Sequence, residues 1–472
     1  MPDWPKHIHL LGIGGVGMGA LAGLFHAAGV EVSGSEGGPV YPPMSLLLEE
    51  LKIPVCVGYK PENLNQARPD LVIIGNVIRR DNPEAQEVLR RRLPYLSLPE
   101  ALRQFFISGR KSLVVAGTHG KTTTSALLAY ALEQIGQKPT FLIGGLLRDR
   151  GRNFDLGKGP YIILEGDEYD SAFFDKRAKF LHYAPFGAIL TSVEFDHADI
   201  YPHFEALKET FSHFVSLIPE EGLLVYAAEE PGAREVASKA SCQKISYGLG
   251  QEADIRLLRR SLSPFGQKVK FAFRDQIYEF FVPLIGLHNA LNALAVWGLL
   301  RGLDFEPEAI ARAIQGFPGT KRRQEVLLDQ PVVVIDDFAH HPTAVKVTIE
   351  AVREAFSPKR LIACFEPRTN TSRRKVFQKD YAKTLALADL VLLKEPPNLE
   401  KVPEGERLCL EKLVKDLETL GTKAKAFDQA EEFFIELKKE FRPQDLILFM
   451  SNGPFDHLPQ RLVRFLKENP EP

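Results

Sequence analysis

The segment from Val114, VVAGTHGKTTTSALLAYAL, places glycines, a lysine and three threonines between an apolar run and a run with helical spacing. We call residues 117–123 the lysine turn. Glycines let backbone N–H groups converge on phosphate oxygens, and the N-terminus of a following helix adds partial positive charge. The full P-loop pattern starts with a glycine where this chain has Val115, although Gly117 supplies a permissive backbone two residues later. The segment predicts a nucleotide-phosphate site, with Lys121 on the terminal phosphates.

Acidic side chains follow two apolar runs further along the chain. Glu165 ends the run YIILE and precedes other carboxylates, while FGAILTS precedes VEFDHAD, which contains His197. Ligands gather at the carboxyl ends of strands in open α/β sheets, and Mg²⁺ prefers carboxylate and other hard oxygen ligands. We therefore predict a metal site beside the lysine turn, with Thr122 and carboxylates of these two segments as candidate ligands. Because histidine is an uncommon Mg²⁺ ligand, chemistry alone gives His197 the role of a base or a positioning group.

A second glycine-rich segment, GIGGVGMGA, follows the first apolar run of the chain, and we call residues 12–18 the N-terminal turn. Its backbone N–H groups could receive a diphosphate. A dinucleotide site also needs an acidic residue about twenty positions further on, and VEVSGSEGG offers only Ser35 and Glu36. The residues alone leave a nicotinamide or flavin dinucleotide, a UDP-sugar and a purely structural turn open. Two phosphate turns in one chain favour a ligase that joins two substrates.

Short apolar runs alternate with helical patterns along the chain, which predicts an α/β fold with parallel sheets. Three blocks open with an apolar strand followed by a turn, namely HIHLLGIGG, SLVVAG and VVVIDD. We expect three α/β domains in series, over residues 1–108, 109–325 and 326–472. Between residues 220 and 282 short strand-like pieces alternate, which predicts a β-rich excursion from the central domain.

The composition is that of an ordinary globular protein, 44% hydrophobic and 25% charged, with a formal net charge of -2. Without a strong positive excess, we expect neither a nucleic-acid nor a membrane-binding surface. The four scattered cysteines form no CxxC pair, and no run has a signal peptide's pattern or the apolar length of a membrane span. These features predict a cytoplasmic protein with reduced thiols.

Seven stretches in order resemble the motifs of the Mur ligases, the ATP-dependent amide-forming enzymes of peptidoglycan synthesis. They are GIGGVGMGALA, AGTHGKTTT, EGDEYD, EFDHADIY, GLHNALNALA, GTKRRQEV and DDFAHHPTAV, and they span nearly the whole chain. The resemblance implies a Rossmann-like, UDP-sugar-binding N-terminal domain and a central P-loop domain that binds ATP. It also implies a Rossmann-like C-terminal domain that binds the acceptor.

The resemblance further implies roles for individual residues. The ATP-binding residues would be Gly117, Thr118, Gly120, Lys121, Thr122, Thr123, His288, Asn289, Asn292, Arg323 and Asp337. The UDP-sugar-binding residues would be Gly12, Gly14, Gly15, Val16, Gly17, Met18 and Ser35. The metal would be held by Thr122, Glu165 and His197, which replaces the role that chemistry alone gives His197. Lys121, Glu165 and His197 would be the catalytic residues.

Three regions of the sequence resemble the family branch that recycles peptidoglycan: VYPPMS, DSAFFDKRAKFLHY, and FEPRTNTSRR together with FMSNGPFDHLP. That branch joins UDP-N-acetylmuramate to the tripeptide L-alanyl-γ-D-glutamyl-meso-diaminopimelate. The N-terminal turn is closer to the branch that adds L-alanine, so L-alanine is the alternative acceptor. We expect Arg368, Asn370 and Asn452 to bind the acceptor, because a peptide with several carboxylates needs a bidentate cation.

The implied reaction passes through an acyl phosphate. The lactoyl carboxylate of UDP-N-acetylmuramate attacks the γ-phosphate of ATP, and the amine of the L-alanine end then displaces phosphate, with Lys121 and Mg²⁺ stabilising charge. We expect a monomer or a weak homodimer. Two other classes stay open: a dinucleotide-dependent oxidoreductase and a non-catalytic nucleotide-binding regulator. The set of lysine, carboxylates and histidine disfavours the regulator.

Overall fold

The computed structural model describes residues 4–195, 200–369, 371–397 and 399–469. These residues form sheets of five, ten and six strands in chain order, together with one two-stranded ribbon. We call the parts of the chain that carry the three sheets the N-terminal, central and C-terminal units. Three α/β units in series are the predicted fold class.

The N-terminal sheet is parallel, with the strand order β3-β2-β1-β4-β5. The unit consists of β1 (His7–Leu11), α1 (Val16–Ala27), β2 (Glu31–Glu36), α2 (Met44–Glu50), β3 (Val55–Val57), α3 (Pro61–Ala67), β4 (Leu71–Ile74), α4 (Pro83–Arg91), β5 (Tyr95–Ser97), α5 (Leu98–Ala101) and a π-helical turn (Leu102–Ile107). The N-terminal turn follows β1, where the strand order changes direction. Open α/β sheets bind ligands at that position.

The central sheet has the order β17-β16-β15-β14-β13-β12-β6-β9-β7-β8. The unit begins with β6 (Lys111–Ala116), α6 (Lys121–Gln134), β7 (Thr140–Leu142), β8 (Phe154–Asp155), β9 (Tyr161–Gly166), β10 (Asp170–Ala172), β11 (Asp175–Ala178), a 3₁₀ turn (Lys179–His182), β12 (Pro185–Leu190) and α7 (Phe204–Ser216). It continues with β13 (Leu223–Ala227), α8 (Pro231–Ala237), β14 (Gln243–Gly248), β15 (Ile255–Ser263), β16 (Gly266–Phe273), β17 (Gln276–Val282), α9 (Leu287–Gly302) and α10 (Pro307–Gln315).

Strands β6, β9 and β12 lie side by side and parallel in the middle of this sheet. Their carboxyl ends therefore meet at one edge, and the lysine turn and the acidic segments follow these strands. The region 220–282 is rich in strands, as predicted. It is not a separate excursion, however, because β13 to β17 extend the central sheet through backbone pairing.

The C-terminal sheet has the order β18-β19-β23-β20-β21-β22, and β18 pairs antiparallel with β19. The unit begins with β18 (Glu325–Leu328), β19 (Val333–Asp337), α11 (Pro342–Phe356), β20 (Arg360–Phe365), a 3₁₀ turn (Lys375–Phe377), α12 (Gln378–Leu385), β21 (Leu390–Lys394) and two 3₁₀ turns (Leu399–Lys401 and Glu404–Glu406). It continues with α13 (Leu410–Thr419), β22 (Lys423–Phe427), α14 (Ala430–Glu440), β23 (Asp445–Met450), a 3₁₀ turn (Phe455–His457) and α15 (Leu458–Glu468).

The N-terminal and central units share an apolar core, which contains residues of α1 and β8. Helix α1 crosses β8 so closely that a Cβ atom on Gly23 would lie 2.1 Å from the ring of Phe154. Only glycine fits at this crossing without a shift. The domain boundaries at 108/109 and 325/326 stay predictions. None of the described helices combines the length and apolar character that a membrane span requires.

Candidate active site

The lysine turn has a backbone that favours glycine at two positions. Gly117 has φ +131°, and Gly120, the N-cap of α6, has φ +77°. A Cβ atom on Gly117 would lie 2.2 Å from the hydroxyl of Thr191. No side chain within the described residues caps α6, so the N–H groups of its first turn remain available to an anion. The turn therefore has the backbone of a phosphate site.

Lys121 lies among acidic groups at the start of α6. Its Nζ donates hydrogen bonds to the carbonyl oxygen of Gly117 at 2.6 Å and to the carboxylate of Glu168 at 3.0 and 3.1 Å. Burial on its own lowers the pKa of Lys121, but Glu168, Asp167 and Glu165 together raise it above the ordinary value. Lys121 therefore carries a positive charge, and these hydrogen bonds hold its ammonium group in place.

Thr122 and Glu165 form the part of the predicted metal site that the structure describes. The Thr122 hydroxyl donates to Glu165 Oε1 at 2.8 Å and accepts from Arg323 Nη2 at 3.0 Å. The backbone N–H of Gly144 donates to Glu165 Oε2 at 2.7 Å. A hydroxyl and a carboxylate side by side are hard oxygen donors that fit Mg²⁺. His197, the third predicted ligand, lies outside the described residues.

A cavity of about 520 Å³, the central cavity, lies where the three units meet. Val16, Gly17 and Leu98 line it from the N-terminal unit. The central unit contributes Thr118, His119, Gly120, Lys121, Thr122, Thr123, Leu142, Ile143, Gly144, Glu165, Asp167, Tyr169, Lys179, Tyr183 and Arg323. The C-terminal unit contributes Phe338, Ala339, His340, His341 and Ala344. The two glycine turns thus open into one space.

A second cavity of about 370 Å³, the side cavity, shares several lining residues with the central cavity. The predicted ATP-binding residues Gly120, Thr123, His288, Asn289, Asn292, Arg323 and Asp337 all line it. Burial lowers the pKa of His288 to about 4, so its ring is neutral at neutral pH. The volume lies within the usual range for small-molecule pockets. The structure therefore brings these residues from the central and C-terminal units to one pocket.

The N-terminal turn is occupied by a side chain of its own unit. Its Gly14 N–H donates to Glu36 Oε2 at 2.9 Å, and the hydroxyl of Tyr59 donates to Glu36 Oε1 at 2.8 Å. Gly12, with φ +81°, forms the turn after β1 together with Gly14 and Gly15, and Val16 and Gly17 face the central cavity. Met18 and Ser35, by contrast, are buried within the unit. The carboxylate of Glu36 therefore lies where a bound diphosphate would bring negative charge.

Two of the predicted acceptor residues, Arg368 and Asn452, are outside the linings of both cavities. Arg368 Nη1 is 3.5 Å from the buried carboxylate of Glu366, which accepts a hydrogen bond from the Ser451 hydroxyl at 2.7 Å. Burial raises the pKa of Glu366. A Cβ atom on Gly453 would lie 2.3 Å from Arg368 Cδ, so the segment with Asn452 packs against this arginine. Neither Arg368 nor Asn452 lines either cavity, and Asn370 lies outside the described residues.

Sequence reasoning assigned no role to a cluster between the central and C-terminal units. His119 Nε2 lies 3.3 Å from Glu194 Oε2, which accepts a hydrogen bond from the Thr343 hydroxyl at 3.2 Å. The rings of His119 and His341 are 4.8 Å apart. Ligand atoms of His119, Glu194 and His341 lie within 4.8 Å of one another and could hold a metal ion. These residues stand in the segments THGK, VEFDH and HHPT. The sequence does not indicate that the three segments meet, because they do so only where the two units are in contact.

Three family models match consecutive parts of the chain. They are the Mur ligase family catalytic domain over residues 7–109, the Mur ligase middle domain over 115–300 and the Mur ligase glutamate ligase domain over 322–453. The chain belongs to the Mur ligase family and is a ligase, as the sequence predicted.

Individual relatives indicate which branch of the family the chain resembles. The chain is 36% identical, over 98% of its length and 99% of the relative's, to UDP-N-acetylmuramate–L-alanyl-γ-D-glutamyl-meso-2,6-diaminoheptandioate ligase of Escherichia coli strain K12. The crystal structure of a murein peptide ligase from Psychrobacter arcticus matches with a TM-score of 0.74 and 32% identity, covering 98% of each chain. A UDP-N-acetylmuramate–alanine ligase structure from Thermotoga maritima matches with a TM-score of 0.81 and 27% identity, covering 99% of this chain and 100% of that one. The predicted likeness to the tripeptide branch is confirmed by the first two.

Proposed function

We propose that this chain joins the lactoyl carboxylate of UDP-N-acetylmuramate to the L-alanine amine of L-alanyl-γ-D-glutamyl-meso-diaminopimelate, with ATP converted to ADP and phosphate. The proposal is supported by the likeness to the Escherichia coli ligase over nearly the whole chain. The observation that carries it is the central cavity, because both glycine turns and the C-terminal unit line one space. A reaction between two substrates and ATP needs such a meeting point.

In the proposed reaction, the lactoyl carboxylate attacks the γ-phosphate of ATP, and an acyl phosphate and ADP are formed. The amine of the tripeptide then attacks the acyl carbon, and phosphate leaves. Lys121 stabilises the negative charge on the phosphoryl oxygens. Its ammonium is held at the turn by Glu168 and the carbonyl oxygen of Gly117, and it would exchange part of these hydrogen bonds for the phosphoryl oxygens. Contact between the units over the bound substrates would exclude water that hydrolyses the acyl phosphate.

Thr122 and Glu165 are the residues proposed to hold Mg²⁺, with His197 as the third ligand. The hydroxyl and carboxylate at 2.8 Å support this assignment. Bound Mg²⁺ supplies neutralisation of the charge on the phosphate groups. Arg323, whose Nη2 donates to Thr122, adds a further cation on the same side.

The side cavity is proposed to bind the nucleoside part of ATP. His288, Asn289 and Asn292 would face the adenine, and Asp337 would bind the ribose. Asp337 is held in place because its carboxylate accepts the backbone N–H groups of Gln324 and Ala339, both at 2.7 Å. The side cavity adjoins the central cavity through shared residues, so a nucleotide bound there directs its phosphates towards Lys121.

The acceptor test compares the tripeptide with L-alanine. With UDP-N-acetylmuramate and ATP present, we expect rapid phosphate release with the tripeptide and little release with L-alanine. Rapid release with L-alanine and little release with the tripeptide would favour the alternative, an alanine-adding ligase. The Thermotoga maritima relative is named for that activity. Arg368→Ala should raise the apparent KM for the tripeptide and leave that for ATP unchanged.

A monomer or weak homodimer in the cytoplasm, and the absence of a nucleic-acid partner, also remain proposals.

A further inference from the structure

Lys179 is a second lysine on the wall of the central cavity, and no role described above uses it. Its side chain is 15% exposed, and its Nζ lies 2.6 Å from Asp167 Oδ2. We propose that Lys179 binds the lactoyl carboxylate of the acyl donor and holds it beside the lysine turn. This inference rests on the proposed function, which supplies the identity of the donor.

The position of Lys179 is fixed by the two-stranded ribbon that precedes it. Strands β10 and β11 pair antiparallel, and the ring of Phe174 between them packs edge-on against Tyr95 of the N-terminal unit, with ring centroids 4.9 Å apart. The backbone N–H of Lys179 donates to the carbonyl oxygen of Tyr169 at 2.9 Å. The stretch DSAFFDKRAKFLHY, singled out in the sequence, thus delivers a lysine between the N-terminal unit and the end of β9.

Asp167 holds the ammonium of Lys179 without using all of its donors. The ion pair is short, with 2.6 Å between Lys179 Nζ and Asp167 Oδ2. An ammonium group has three N–H donors. Within the described part of the chain, Lys179 Nζ makes its one hydrogen bond to Asp167. Two donors therefore remain for a second anion.

The lining of the central cavity favours the acyl donor over the acceptor. The segment around Lys179 packs on the N-terminal unit, which also contributes Val16 and Gly17 to the cavity. The C-terminal unit contributes only residues between Phe338 and Ala344 to the described lining, and neither Arg368 nor Asn452 is among them. Val16, Gly17, Lys179 and Lys121 line the same cavity, so a donor held at the N-terminal turn would extend its carboxylate into the space that Lys179 lines. A carboxylate in that region would meet Lys179.

The experiment uses two nucleotide sugars that differ in the lactoyl ether, the group that bears the carboxylate. Calorimetry would compare UDP-N-acetylmuramate with UDP-N-acetylglucosamine, which lacks that group, in the full-length wild type and in Lys179→Ala. We expect the substitution to weaken UDP-N-acetylmuramate about 10- to 100-fold, the usual effect of losing a hydrogen bond to a charged group. Binding of UDP-N-acetylglucosamine should stay within about twofold, because a ligand without the carboxylate cannot use the ammonium.

Lys176→Ala is the matched control. Lys176 lies on the same ribbon and pairs with Asp170 at 2.6 Å, but its side chain is 71% exposed and does not line the cavity. It should leave both affinities unchanged. Lys179→Gln retains most of the side-chain length and is the second variant if Lys179→Ala unfolds. Lys179→Gln should show the same selective loss of affinity for UDP-N-acetylmuramate. Two measurements, thermal unfolding and binding of an ATP analogue, would verify that each variant is folded.

Equal weakening of both nucleotide sugars, or no weakening of either, would overturn the role of Lys179. The proposed function fails in a different way. If the wild type binds neither sugar and releases no phosphate in the presence of UDP-N-acetylmuramate, the donor itself is wrong. Normal wild-type turnover together with an unchanged sugar preference in Lys179→Ala contradicts this inference alone.

Discussion

The N-terminal turn and the lysine turn have the same local plan but opposite charges at their centres. Each follows a strand that pairs in parallel with both of its neighbours, and each leads into a helix. At the N-terminal turn the N–H of Gly14 already donates to a carboxylate of the same unit, that of Glu36. At the lysine turn a cation, Lys121, lies over the turn and is itself held by Glu168. Strand–glycine–helix geometry makes an anion site possible, and the neighbouring side chains decide how strongly it attracts one.

The largest effect should come from Lys121→Ala. Loss of the cation that meets the developing charge should lower turnover on the order of 10³-fold. Affinity for UDP-N-acetylmuramate should change little, because the N-terminal turn is intact. Steady-state phosphate release and calorimetry would measure the two quantities. Retained turnover would show that the lysine turn does not act on phosphate, and the contrast between the turns would then fail.

Gly117→Ala tests the backbone of the lysine turn. A side chain at φ +131°, 2.2 Å from the Thr191 hydroxyl, should strain the turn by about 1–3 kcal/mol and weaken ATP by up to about 100-fold. Gly29→Ala is the control, since Gly29 also has positive φ, +83°, but a Cβ there would meet no described atom within 4 Å. It should lower thermal stability without affecting ATP. Equal ATP affinity in both variants would contradict the assignment.

The smallest effect is expected at the N-terminal turn. Glu36→Gln removes a negative charge that a diphosphate would meet, so affinity for UDP-N-acetylmuramate should rise about fivefold, equivalent to about 1 kcal/mol. Tyr59→Phe removes one hydrogen bond to the same carboxylate but keeps its charge, and should change affinity by less than about twofold. If Glu36→Gln instead weakens binding in calorimetry, Glu36 is itself a ligand of the nucleotide sugar.

The sequence predicted the elements whose signals are local. Apolar runs and glycine turns predicted the parallel strands, and the rule that strand ends meet at one edge placed Thr122 near Glu165, which are 2.8 Å apart. Their roles stay a proposal. Two contacts were not predicted: the ion pair of Lys121 with Glu168, and the hydrogen bond from the Gly14 N–H to Glu36. Each depends on the direction of a side chain in the folded protein.

Contacts between distant segments were also beyond the sequence. His119, Glu194 and His341 come together only when the C-terminal unit lies against the central one. The strands between residues 220 and 282 have the same alternating pattern whether they form a separate sheet or extend an existing one. Backbone pairing with β12 decides between the two, and no local residue pattern encodes that choice.

The crossing of α1 over β8 has a consequence for protein engineering. Because Gly23 packs against the Phe154 ring and the two units share one apolar core, the N-terminal unit cannot be exchanged on its own for that of a relative. A chimera that takes residues 1–108 from a relative would have to bring the matching β8 surface with it. Without that surface, the graft would leave apolar area exposed to water and would be prone to aggregate.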